Sequence, residues 1–87
     1  MLKIKEILAT AMSLPKEIAL DLPVITATGR NEITVENYKN LMSFSETEIA
    51  IRIRDGIIVI EGENLTLRQI TTEILHIAGV VSGFRYQ

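Results

Sequence analysis

Residues 49–61 read IAIRIRDGIIVIE, two runs of alternating apolar side chains joined at Asp55-Gly56. An Asp-Gly pair between alternating hydrophobics is the strongest short-range signal for a β-hairpin. With Asp55 and Gly56 as the turn, Arg54 faces Ile57, Ile53 faces Ile58, Arg52 faces Val59 and Ile51 faces Ile60. One side of the hairpin then consists of Ile49, Ile51, Ile53, Ile58 and Ile60, and water must be kept from it. The other side mixes Ala50, Arg52 and Arg54 with Ile57, Val59 and Glu61, so it is expected to be covered at most in part.

Outward from this hairpin the same period of two runs from Val24 to the C-terminus, rich in β-branched residues. The pattern predicts strands over Val24–Thr28, Glu32–Tyr38, Leu41–Ser45, Glu48–Arg54, Ile57–Glu61, Leu65–Ile70 and Glu73–Ala78, with a last piece over Val80–Tyr86. Breaks fall at Gly29-Arg30-Asn31, Lys39-Asn40, Glu46-Thr47, Asp55-Gly56, Gly62-Glu63-Asn64, Thr71-Thr72 and Gly79. Connections this short favour antiparallel neighbours in chain order, because a parallel pair needs a crossover of a dozen or more residues. At Gly62-Glu63-Asn64 the apolar set passes from the even positions Ile58 and Ile60 to the odd positions Leu65 and Leu67, which calls for a turn or at least a bulge. The expected fold is mainly β, a curled or rolled antiparallel meander of about six to eight short strands. The regular spacing of breaks makes a β-solenoid-like stack the alternative.

Ahead of the strands, Ile4, Ile7, Leu8, Ala11 and Met12 recur at the spacing that places them on one stripe of a helix over Leu2–Met12. Ser13-Leu14-Pro15 breaks it, and Lys16–Leu20 reads as a second short helix ended by Asp21-Leu22-Pro23. The chain is thus read as one domain over 1–87, with a helical segment at 1–22 and a sheet module at 23–87. Packing across a face of the sheet is the plainest use of the stripe; docking on a partner and lying on a membrane surface are the others. Lys3, Lys5 and Ala9-Thr10-Ala11 loosely imitate a signal peptide, but Glu6, Thr10 and Ser13 interrupt it, so a cytoplasmic location is expected.

Composition excludes several kinds of chemistry. Nine basic and eleven acidic residues, for a net charge of -2, provide no electropositive field to gather a phosphate backbone, so no nucleic-acid partner is expected. No cysteine and one histidine rule out disulfides, thiol nucleophiles and thiolate or His-rich metal cages. The longest apolar run falls far below the ~20 residues that cross a bilayer as a helix.

The remaining candidates are weak as chemistry. His76, in EILHIAG, has no serine, cysteine or carboxylate pattern beside it and is read as a half-buried strand residue bonded locally. Glu46, Glu48, Glu61 and Glu63 are read as solvated carboxylates at turn edges, unlike a calcium loop. Arg52 and Arg54 share one face of a strand, where a solvated or partner-facing surface is the better reading. No catalytic, cofactor-binding or metal residue is assigned, and no small-molecule substrate is implied. The candidate interaction residues are Ile4, Ile7, Leu8, Met12, Arg52 and Arg54, engaging a protein partner or a second copy.

The order of landmarks, LPKEIALDLPVITATG at 14–29, ITVENYKN at 33–40, LMSFSETEIAIRI at 41–53 and GIIVIEGENLTLRQI at 56–70, resembles the YabP/YqfC family of sporulation proteins from endospore-forming bacteria, and within it the YqfC type. Asn40 stands where that pattern has glycine, and GFRYQ replaces a more hydrophobic or acidic ending. The resemblance implies a role in endospore formation, produced in the mother cell and acting in envelope or coat assembly at the forespore or a membrane surface, with no enzymatic activity or cofactor.

Overall fold

The computed structural model describes residues 20–87, and the expected helices over Leu2–Met12 and Lys16–Leu20 lie outside them but for Leu20 itself, which is in a turn. The described chain forms six strands: β1 Val24–Thr28, β2 Glu32–Glu36, β3 Asn40–Phe44, β4 Glu48–Ile53, β5 Gly56–Ile70 and β6 Ile74–Tyr86. All pair antiparallel in one sheet of order β1-β2-β6-β5-β4-β3. The solenoid alternative is overturned, since hairpin pairing replaces the parallel stacking such a coil requires.

The founding hairpin is β4–β5, with its turn one residue earlier than expected. Ile53 pairs with Gly56, Arg52 with Ile57, Ile51 with Ile58 and Ile49 with Ile60, so Arg54-Asp55 are the turn residues. A turn centred on Asp-Gly needs positive φ at the aspartate. Asp55 avoids that region, and Gly56, at φ 157°, takes the unusual backbone conformation instead. Moving the partner by two residues leaves every side chain on its face. Ile49, Ile51, Ile58 and Ile60 are accordingly fully buried and Ile53 nearly so. The opposite face is better covered than expected at one point: Val59, on the central strand between Ala50 and Arg85, is also buried.

Two expected breaks are absorbed into long strands. Gly62-Glu63-Asn64 lies within the fifteen-residue β5 and Gly79 within the thirteen-residue β6. The change of alternation is carried by shifts of register between Glu61 and Gly62 and between Glu63 and Thr66, with Asn64 at φ 52°. Bulges bend a strand while keeping it in its sheet. The long β5–β6 hairpin therefore has two arms, one carrying β4 and β3, the other β2 and β1.

The chain-order expectation fails at β2, which pairs with Ile74–Ala78 of β6 and not with β3. In a flat sheet of this order β2 and β3 would lie four strand spacings apart, about 19 Å. The step from Glu36 to Asn40 spans at most about 14 Å, so the sheet must curl until its arms face each other. Ile33 and Val35 of β2 and Leu75 and Ile77 of β6 accordingly share one core with the isoleucines of β4 and β5. Hairpin tips close the corner: Gly62 and Leu65 donate to the carbonyls of Thr47 and Glu46, and Gly79 and Val81 to those of Asn31 and Arg30.

Candidate interaction surface

Where the described chain begins, a polar knot fixes its course. Asp21 has φ 56° and Asn37 φ 60°, a region that aspartate and asparagine enter more readily than other side-chain-bearing residues. The ammonium of Lys39 lies 2.8 Å from both carboxylate oxygens of Asp21. Asn37 Nδ2 donates to Asp21 Oδ1 at 3.3 Å and to the Leu22 carbonyl at 2.9 Å. Arg54 donates from Nη1 to the Leu20 carbonyl and lies 3.8 Å from Asp55. This knot ties residues 20–22 to the β2–β3 crossing and to the β4–β5 turn.

The Lys39 hydrogen bond holds the Asp21 carboxyl below its ordinary value of 3.8; desolvation opposes it, while Asn37 and the charges of Lys39 and Arg54 add to the lowering. A carboxyl with a lowered folded-state pKa stabilises the fold above its unfolded pKa, and that contribution fades as pH falls through the folded value. In melts taken from neutral pH downward, Asp21→Asn should therefore flatten part of the acid limb below about pH 4, asparagine tolerating the same φ. An acid limb identical to that of the wild type would refute this role.

Beside the knot the surface turns apolar. Leu22, Pro23, Ile53, Asp55, Gly56, Ile57, Tyr86 and Gln87 line an open cleft, with Leu20 exposed nearby in sequence. Phe84 and Tyr86 meet edge to face, with ring centroids 6.2 Å apart and planes at 86°. By register they stand on the same side of the sheet as Ile60 and Ile58, yet they are 44% and 65% exposed where the isoleucines are buried. At the far edge of the same arm, Met42 and Phe44 of β3 are also exposed. Large exposed apolar side chains gathered at sheet edges mark contact surfaces.

Of the six candidate residues, Ile4, Ile7, Leu8 and Met12 lie outside the described chain. Arg52 is exposed on the outer face, opposite Asn40 and Ile57, and makes no ion pair among the described residues. Arg54, although exposed, has a partner within the chain at Leu20. The structure thus does not gather Arg52 and Arg54 into one anion site. Nothing in the sequence marks the Phe84–Tyr86 pair beyond its i, i+2 spacing, and nothing marks the knot, whose members lie sixteen and eighteen residues apart.

Chemistry remains sparse. His76 is half-buried on the outer face of its arm, with Nε2 3.6 Å from Glu32. Among the described residues no three His, Cys, Asp or Glu side chains are arranged to hold a metal ion, and no helix is long and apolar enough to cross a membrane.

Comparison with known proteins is consistent across the chain. The model of the YabP family matches residues 22–87, which takes in all six strands and the Asn37–Lys39 half of the knot. An uncharacterized protein of Bacillus subtilis (strain 168), YqfC, is 33% identical over 84 residues, covering 97% of this chain and 90% of that protein.

Proposed function

Because this chain belongs to the YabP family, we propose that it is a sporulation protein, made in the mother cell, that acts in assembly of the endospore envelope or coat through protein contacts and without enzymatic chemistry. Family membership is the observation that carries the process. The contact mode is supported by the exposed Phe84, Tyr86, Met42 and Phe44 along two strand edges of one arm. Large apolar side chains exposed on such a surface accept the apolar side chains of a partner, whereas catalysis would call for a convergence of nucleophile, base and pocket.

The test is genetic. Deleting the gene in its endospore-forming host should lower the yield of heat-resistant spores, and a fluorescent fusion should gather at the forespore from the mother-cell side. A Phe84→Glu, Tyr86→Glu double variant should fail to restore the yield while keeping the wild-type melting curve. Normal spores from the deletion strain would refute the process. Loss of function in His76→Ala with unchanged thermal stability would instead point to chemistry.

A further inference from the structure

Four strand edges among the described residues have no hydrogen-bonded neighbour over all or most of their length, and three of them carry the devices by which sheets avoid indiscriminate pairing. The register of β3 breaks at Met42. The outer end of β5 carries a shift at Arg68 together with that residue's charge. The outer end of β6 is shifted at Ser82 and holds Arg85. Strand β1, Val24-Ile25-Thr26-Ala27-Thr28, has none of these. It runs through five consecutive pairs with β2 without a shift, has no charged side chain, and is exposed from Thr26 to Thr28.

We propose that β1 is a self-pairing edge, where a second copy of this chain adds its own β1 antiparallel about a two-fold axis through Thr26. This rests on the reading above that the chain works through protein contacts, and it names the surface and the partner. The sequence is self-complementary in that register. Ile25 of one copy meets Ala27 of the other on the core side, large against small. Val24 meets Thr28 on the outer side, and the two Thr26 side chains meet at the axis, a favourable cross-strand pair. No like charges oppose each other. Just beyond each end of the strand, Arg30 of one copy comes level with Leu22, next to the carboxylate of Asp21. Pro23 confines the pairing to the five residues of β1, because it has no N–H to extend the ladder. The joined sheets form one continuous twelve-stranded surface, with the aromatic edges of both copies left for other partners.

The absence of cysteine makes the test clean. Directly opposed residues of an antiparallel pair have Cα atoms about 4.5–5.5 Å apart, inside the range a disulfide spans. Under mild oxidation of the full chain, Thr26→Cys should form a disulfide dimer at least tenfold faster than Ser43→Cys on the exposed β3 edge. Ile25→Cys and Ala27→Cys should each crosslink poorly alone and well when mixed. In sedimentation, Thr26→Lys should abolish the dimer by facing two ammoniums across the axis, with its melting temperature little changed because the site is exposed. Equal rates for Thr26→Cys and Ser43→Cys, or a dimer that survives Thr26→Lys, would overturn the inference. A chain that is monomeric alone but is retained by an envelope protein from sporulating cells would also overturn it, while leaving the protein-contact reading intact.

Discussion

Gly62→Ala should destabilise the fold by about 3 kcal/mol or more, because the added methyl has nowhere to go. A Cβ at this position would land on the carbonyl oxygen of Val80, with Leu65 Cδ2 at 3.0 Å and the Val80 carbonyl carbon at 3.1 Å. The obstructing oxygen belongs to the backbone of β6, so relief would require moving a strand and not a rotamer. In a domain of this size the loss corresponds to a fall in melting temperature of roughly 12–24 °C, readable by circular dichroism. Gly79 lies at the same corner: at φ 133° its Cβ would come within 2.6 Å of the Asn64 carbonyl oxygen and 2.9 Å of Leu65 Cα. Gly83 is the control. It belongs to the same strand with nothing within 4 Å, so Gly83→Ala should stay within about 0.5 kcal/mol of wild type. Equal melting curves for Gly62→Ala and Gly83→Ala would show that the corner is not closely packed.

Truncating Ile51 should cost about 2–5 kcal/mol, the range for emptying a well-packed aliphatic site. Ile51 is fully buried, paired with Leu41 on one side and Ile58 on the other, within the core that both arms share. The cavity would open where neither arm can close without disturbing the corner. Ile70→Ala is the matched comparison, the same chemical change at a site 56% exposed on an outer edge, where about 0.5 kcal/mol is expected. Denaturant midpoints with similar slopes would separate the two variants. If both lost the same stability, the shared core would not be what holds the arms together.

The sheet was legible from local signals to a large extent. Period two placed the five isoleucines of the hairpin on one dry face, and they remain there although the turn forms one residue earlier than the Asp-Gly reading puts it. The partner moves by two in that case, and side-chain direction depends only on odd or even position. The change of phase at Gly62-Glu63-Asn64 was equally real, but a sequence does not distinguish a turn from a bulge inside a continuous strand. That choice depends on β6 lying alongside to keep the ladder going. The knot of Asp21, Asn37 and Lys39 was not legible, because its members come from segments that only the curl of the sheet brings together. The exposure of Phe84 and Tyr86 escaped for a related reason: they alternate as core residues do, and only their place on an arm's edge leaves them wet.

By itself, then, the order of residues determined that the chain from Val24 onward is antiparallel sheet, which side chains point inward, and where the backbone must turn or bulge. These are consequences of backbone geometry over a few residues, and they hold whichever strands become neighbours. Only the tertiary structure decided that β2 leaves its successor and joins β6, that two glycines form the corner, and that β1 is a regular edge with no strand on its outer side among the described residues. Those outcomes depend on burying Ile33 and Val35 against isoleucines far along the chain. That burial is a balance of long-range contact against loop closure, and no local pattern records it.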